Sequence, residues 1–191
     1  MQNNINLQND KRQKRVSLHF LFLFLAFIVF HFSFSTPARA QIVIPGTSVT
    51  FSLGDKEWQY LRTFKLDDGA NVFLYSYIGE VLVDASGDTV IPFLRIYVRE
   101  NYGGDVYQLA YDRYVKQPFQ SLREYTKGPG LPHGGLGYEG IYTSPSDGRD
   151  YRFLMTYFKD RRTVVEFRLE TSRSTWETMK GRFTDLLNTV K

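Results

Sequence analysis

Two stretches of strict alternation constrain this chain more than any other feature. In residues 94–99, Leu94, Ile96 and Val98 alternate with Arg95, Tyr97 and Arg99. In residues 165–170, Val165, Phe167 and Leu169 alternate with Glu166, Arg168 and Glu170. A period of two belongs to a β-strand, whose successive side chains face opposite sides of a sheet. The chain must therefore build a sheet whose apolar face needs cover. Ser48–Leu53, Trp58–Leu66 and Asn71–Ile78 read as earlier strands, the last two flanking Asp67-Asp68-Gly69, a hairpin turn in which glycine accepts positive φ. A second turn, Asp84–Asp88, leads into the strand around residue 94. Phe119–Tyr125 and segments near 136–143, 150–158 and 162–170 complete the set.

Cover for the sheet comes from two segments with helical spacing. Asp105 and Gln108 form a capping pair, and Val106, Leu109, Ala110 and Tyr114 share one stripe that Pro118 should end. At the C-terminus Ser174 and Glu177 spell a capping box, followed by Trp176, Met179, Phe183, Leu186, Leu187 and Val190 on one face. The expected fold class is α+β: an antiparallel sheet of about six to seven strands with two helices.

The first 40 residues read as a signal peptide outside that fold. Lys11, Arg12, Lys14 and Arg15 precede an apolar run from Val16 to Ser35, and Ala38-Arg39-Ala40 supplies the small-residue cleavage pattern. The run is about long enough to span a bilayer as a helix, so retention as an anchor is the alternative to cleavage after Ala40. Cleavage implies a periplasmic or secreted protein with no stable membrane anchor, and residues 41–191 as a single domain. The leader holds five of the 24 lysines and arginines and one of the 20 acidic residues, leaving 19 of each. The basic balance thus belongs largely to the leader, and nucleic acid is not an expected partner. No cysteine is present, so the core is stabilised without disulfides.

The stretches VTFSLGDKEW and YRFLMTYFKDRRTVVEFRLETSRSTWETMKGRFTDLLNTVK resemble the PsbP/Mog1-like superfamily, including exported bacterial domains of the DcrB type. The shared pattern is an early strand leading to a tryptophan, then a late strand, polar turn, strand and helix with phenylalanine. The chain departs from lipoprotein members in lacking the lipid-bearing cysteine. The resemblance implies a PsbP/Mog1-like sandwich and a non-enzymatic accessory, assembly or binding role in the bacterial cell envelope.

Chemical motifs are few. GPGLPHGGLGYEG, residues 128–140, contains a G-x-G-x-x-G at Gly135, Gly137 and Gly140. A dinucleotide fingerprint needs a strand before it and a helix after it, whereas a β-like run follows here. The stretch is expected to be a structural turn between sheet segments. His133 lacks a histidine pair or cysteine partner in the exported part, yet with Glu139 it could serve a small secreted hydrolase. The turns at Asp67–Asn71 and Asp84–Asp88 lack the ligand pattern of a calcium loop. No catalytic residues, metal or cofactor are assigned. The expected binding surface is a tyrosine- and arginine-bearing sheet face with Tyr75, Tyr77, Arg95, Tyr97 and Arg99, together with His133, because Tyr and Arg dominate binding hot spots. Its partner would be an envelope protein or a small ligand; a carrier of a small amphipathic ligand is a further alternative.

Overall fold

Seven strands form one antiparallel sheet. The computed structural model describes residues 41–54, 57–112, 119–125 and 135–191. The strands of the sheet are β3 (Trp58–Lys65), β4 (Asn71–Tyr77), β7 (Phe93–Arg99), β8 (Ser121–Tyr125), β9 (Leu136–Thr143), β10 (Asp150–Asp160) and β11 (Thr163–Ser172), in the spatial order β3-β4-β7-β11-β10-β9-β8. Two short ribbons accompany it: β1 (Ile42–Val43) with β2 (Thr50–Phe51), and β5 (Leu82–Val83) with β6 (Thr89–Val90). Helix α1 spans Val106–Ala110 and α2 spans Trp176–Leu187. The fold is α+β, as the periodicity predicts.

The last strand joins the two halves. β11 pairs with β10 through a tight turn and with β7 on its other side, setting Leu169 opposite both Leu94 and Leu154. One face then carries Leu94, Ile96, Val98, Val165, Phe167 and Leu169, against which α2 lays Trp176, Met179, Phe183, Leu186 and Leu187. Those five helix residues recur at three- and four-residue spacing and are all buried, as an amphipathic helix on a sheet requires. The opposite face holds Phe153, Met155, Tyr157, Leu136 and Tyr138, beneath Val106 and Ala110 of α1.

Local chemistry departs from expectation at three places. The expected strand Ser48–Leu53 is reduced to Thr50–Phe51 and lies outside the main sheet, paired with β1. Gly46, at φ +77°, turns the chain back, while Thr50 exchanges backbone hydrogen bonds with Lys191 at 3.0 Å in both directions. Asp105 does cap α1, accepting from the Tyr107 N–H at 3.3 Å, but Gln108 donates to Asp112 rather than closing a box. Tyr114 and Pro118, expected to extend and end that helix, lie outside the described residues. Finally, α2 is preceded by Thr175, not Ser174. The Ser174 hydroxyl accepts from the Ala85 N–H at 3.3 Å and Glu177 reaches Arg152, so tertiary partners outcompete the capping box.

Candidate functional site

Antiparallel register separates the expected tyrosine and arginine surface into two. Tyr75 lies opposite Leu94, whereas Leu74 lies opposite Arg95 and Val72 opposite Tyr97. Tyr75 and Tyr77 therefore face α2, and Arg95, Tyr97 and Arg99 face the other way. This corrects the expectation of a common face: alternation in each strand was read, but the relative phase of β4 and β7 is set only by pairing.

Tyr75 and Tyr77 are core residues. Tyr75 meets Phe51 and Tyr60 edge-on, with ring centres 6.1 and 5.5 Å apart, and burial, with Tyr60 nearby, raises its phenol pKa. Tyr77 meets Trp58 edge-on at 5.6 Å and lies under the Arg182 guanidinium at 5.6 Å. On the other face, Arg95, Tyr97 and Arg99 do come together with β11. Arg95 donates to Glu170. Arg99, 6% exposed, reaches Asp68 at 3.1 Å and Glu166 at 3.5 Å and lies 5.8 Å from the Tyr97 ring centre. Tyr142 also donates to Glu170, at 3.3 Å. Both arginines are thus committed to buried carboxylates, an arrangement that holds a sheet face together. His133 lies outside the described residues.

Gly137 and Gly140 of the G-x-G-x-x-G motif sit inside β9 rather than in a turn, and their φ angles are not positive. What they provide is room. A Cβ on Gly137 would enter the Tyr125 ring, and one on Gly140 would lie 2.6 Å from both the Ser121 carbonyl oxygen and the Phe153 ring. Two aromatic rings are laid across the strand on opposite faces, which only glycine permits.

The exposed chemistry gathers elsewhere, where residues 52–54 and the start of β3 meet α2. A cavity of about 220 Å³ opens there, lined by Leu53, Glu57, Trp58, Arg182, Asp185 and Leu186 among others. Trp58 floors it, backed by Phe183 at 6.1 Å. Arg182 bridges its rim, 3.5 Å from Glu57 and 3.1 Å from Glu80. The Ile78 N–H donates to the Glu57 carbonyl at 2.7 Å, so the rim continues into the excursion that carries β5 and β6.

That excursion is apolar on both sides. Leu82 and Val90, directly paired, are buried, while Val81, Val83 and Ile91 are 78%, 55% and 52% exposed and Ile78 is 51% exposed. Its tip is held fast. Asp84 Oδ1 accepts from the N–H groups of Ser86 at 2.8 Å and Asp88 at 3.1 Å, Gly87 takes φ +87°, and Arg149 pairs with both Asp84 and Asp88. Burial pushes the Asp84 carboxyl up, but those two N–H groups and the Arg149 charge outweigh it and hold the group below its ordinary value. These aspartates stabilise a turn, and among the described residues no group of three His, Cys, Asp or Glu side chains is placed to hold a metal.

The turn Asp84–Asp88 is expected from the sequence, whereas the apolar ribbon that it closes is not. Its signal is the unbroken Val81-Leu82-Val83 and Val90-Ile91, where a one-sided strand would alternate. Both faces of the ribbon are therefore apolar, and a two-stranded ribbon can bury only one against the core.

The fold defines an α+β domain with one helix on each face of a seven-stranded antiparallel sheet. No family model matches the chain, and no curated protein does. Among solved structures it is similar to LpqN of Mycobacterium tuberculosis, involved in cell envelope biogenesis (13% identity, 80% of this chain and 90% of that one, TM-score 0.46). It is also similar to the cyanobacterial PsbP of Synechocystis sp. PCC 6803 (13% identity, 80% and 91%, TM-score 0.44), a member of the family that its sequence pattern resembles. A Pseudomonas aeruginosa protein of unknown function gives 10% identity, 69% and 96% coverage and a TM-score of 0.42. At these TM-scores the likenesses carry no argument about a site.

Proposed function

We propose that the chain is an exported accessory module that acts by binding another envelope protein through the outward face of the β5–β6 hairpin. The observation that supports it is the cluster of Ile78, Val81, Val83 and Ile91, each more than half exposed, on a ribbon whose inner side is anchored in the core. Single exposed apolar residues are ordinary, but several together on a rigid support are typical of interaction surfaces. Glu80 and Asp88, both about half exposed, flank the patch but are already paired with Arg182 and Arg149, so the complementary partner surface is apolar at its centre with a polar rim. Export is supported by the basic head, apolar run and Ala-x-Ala pattern of the first 40 residues. The adjoining cavity of about 220 Å³ carries Glu57, Arg182 and Asp185 in its lining and is smaller than the roughly 300 Å³ at which pockets for drug-sized ligands begin, so a carrier role for an amphipathic molecule has less support. A hydrolase reading draws none from Glu139, whose carboxylate is held by Arg123 and Arg152.

The test is a photo-crosslinker at position 83 in cells, with and without the double substitution Val81→Ser and Ile91→Ser. A discrete product that is lost in the double variant is expected, while the melting temperature stays within the small range typical of surface changes. An undiminished product with the double variant folded would refute the assignment.

A further inference from the structure

A second recess lies on the other flank of α2. Strands β8, β9 and β10 and the helix bound about 280 Å³ lined by Ser121, Arg123, Glu139, Ile141, Arg152 and Lys180. Its three cations come from three elements: Arg123 from β8, Arg152 from β10 and Lys180 from α2. Glu139 sits between the arginines at 12% exposure, one oxygen accepting from Arg123 at 2.6 Å and the other from Arg152 at 2.9 Å.

Arg152 is fixed more firmly than a surface arginine. Its guanidinium lies 4.7 Å from the centre of the Trp176 ring and 3.3 Å from Glu177, whose side chain is 80% exposed. Its Nε is buried and has no hydrogen-bond partner among the described residues. Ordered guanidinium groups recognise phosphate through paired donors, and little entropy is lost when the donors are already in place.

Charge selects the ligand. The lining residues carry three positive charges against the single negative one of Glu139, so the recess keeps a positive surplus even with Glu177 paired to Arg152 from outside the lining. A phosphate monoester carries about −1.5 to −2 near neutral pH and offers three acceptor oxygens, which matches this surplus. A second carboxylate offers one charge and two acceptor oxygens and would duplicate Glu139. We propose that this recess binds a dianionic phosphate group, free or as the terminal monoester of a small molecule. Glu139 tunes the site, pre-aligning the two arginines at the cost of opposing the anion. The proposal is independent of the hairpin assignment.

The test is calorimetric titration of the full chain in mild detergent at low ionic strength. The probes are inorganic phosphate, glycerol 3-phosphate and the monoanionic diester glycerophosphoglycerol. Saturable binding of one of the first two is expected, and whichever binds tighter distinguishes free phosphate from a monoester. The diester should bind about tenfold more weakly, the scale of one charge-assisted contact. Arg123→Ala and Lys180→Ala, both at exposed positions, should each weaken phosphate binding by about tenfold, and Glu139→Gln should strengthen it. If neither dianion binds, if the diester binds equally well, or if the two alanine variants bind as the parent does, the proposal is overturned. Those two variants decide the matter even if Glu139→Gln fails to fold.

Discussion

Replacing Gly140 by alanine adds one methyl group at a position where the ordinary consequence would be stabilisation. In a strand with compatible backbone angles, Gly→Ala gains about 0.4–1 kcal/mol by restricting the unfolded chain. Here the methyl carbon would lie 2.6 Å from the Ser121 carbonyl oxygen on β8 and 2.6 Å from the fully buried Phe153 ring. Ordinary contact begins near 3.4 Å, so both the β8 backbone and the Phe153 ring must retreat by most of an ångström. Phe153 has no free volume to enter, being packed by Phe119 at 5.3 Å and Tyr142 at 6.1 Å between ring centres. Overpacking of this kind costs about 1–3 kcal/mol, and loosening one or two β8–β9 hydrogen bonds adds about 1 kcal/mol each. A net loss of about 3 kcal/mol follows, or roughly 6–12 °C in melting temperature for a domain this size.

Gly137 provides the internal control. Its methyl would displace Tyr125, which lies on the edge strand and holds the Met155 carbonyl at 3.2 Å. That ring can swing into solvent, so Gly137→Ala should cost less, about 1–2 kcal/mol, and almost nothing once Tyr125 is alanine. Urea denaturation of the four Gly137/Tyr125 combinations and of Gly140→Ala measures both. Gly140→Ala within 1 kcal/mol of the parent would refute the reasoning, as would a Gly137→Ala cost that is the same with and without Tyr125.

Two further outcomes follow from the core and its tyrosines. Phe183→Ala removes the ring that Trp58 and Trp176 both touch, at 6.1 and 5.8 Å between centres, and should cost about 3–5 kcal/mol in denaturant unfolding. Burial, the Glu124 carboxylate and a 3.4 Å hydrogen bond to it raise the Tyr138 phenol to about 12. A folded-state value above the unfolded one gives stability that is complete below pH 10 and is lost as pH rises toward 12, because the unfolded chain releases the proton first. Tyr138→Phe should therefore flatten the fall in stability across that window, measured by denaturant titration at stepped pH.

The sheet was legible because its strands carry period two and its turns carry Asp and Gly in favoured places. Seven of the expected segments became seven paired strands, and the Trp176–Leu187 stripe became the helix that covers them. What the sequence withheld was phase and competition. Each strand reveals two faces, but only the pairing of Tyr75 with Leu94 decides which face of β4 joins which face of β7. Likewise Ser174 and Glu177 satisfy a capping pattern locally, and only the folded chain offers them Ala85 and Arg152 instead. The stretch holding Gly137 and Gly140 is expected to turn, whereas both lie within β9 and make space for rings that are distant in sequence or on a neighbouring strand.

The two surfaces have a common geometric origin. Seven strands at about 4.8 Å spacing make a sheet roughly 29 Å across, and one helix with its side chains covers about 10–12 Å of it. A single α2 must leave uncovered face on both flanks. On the β3 side the deficit is met by the β1–β2 ribbon, whose Phe51 reaches Tyr75 and Phe167, and by the inward Leu82 and Val90 of the hairpin. Using a ribbon for that purpose creates an outward apolar side, which is the proposed protein contact. On the β8 side the uncovered face is charged rather than apolar: Arg123, Glu139 and Arg152 replace the hydrophobic residues a helix would demand. A sheet face left open at its edge is stable in water only if its side chains are polar and paired, and Glu139 supplies that pairing. The same requirement that makes the edge soluble thus concentrates ordered cations there, and the helix flank bearing Lys180 completes the recess.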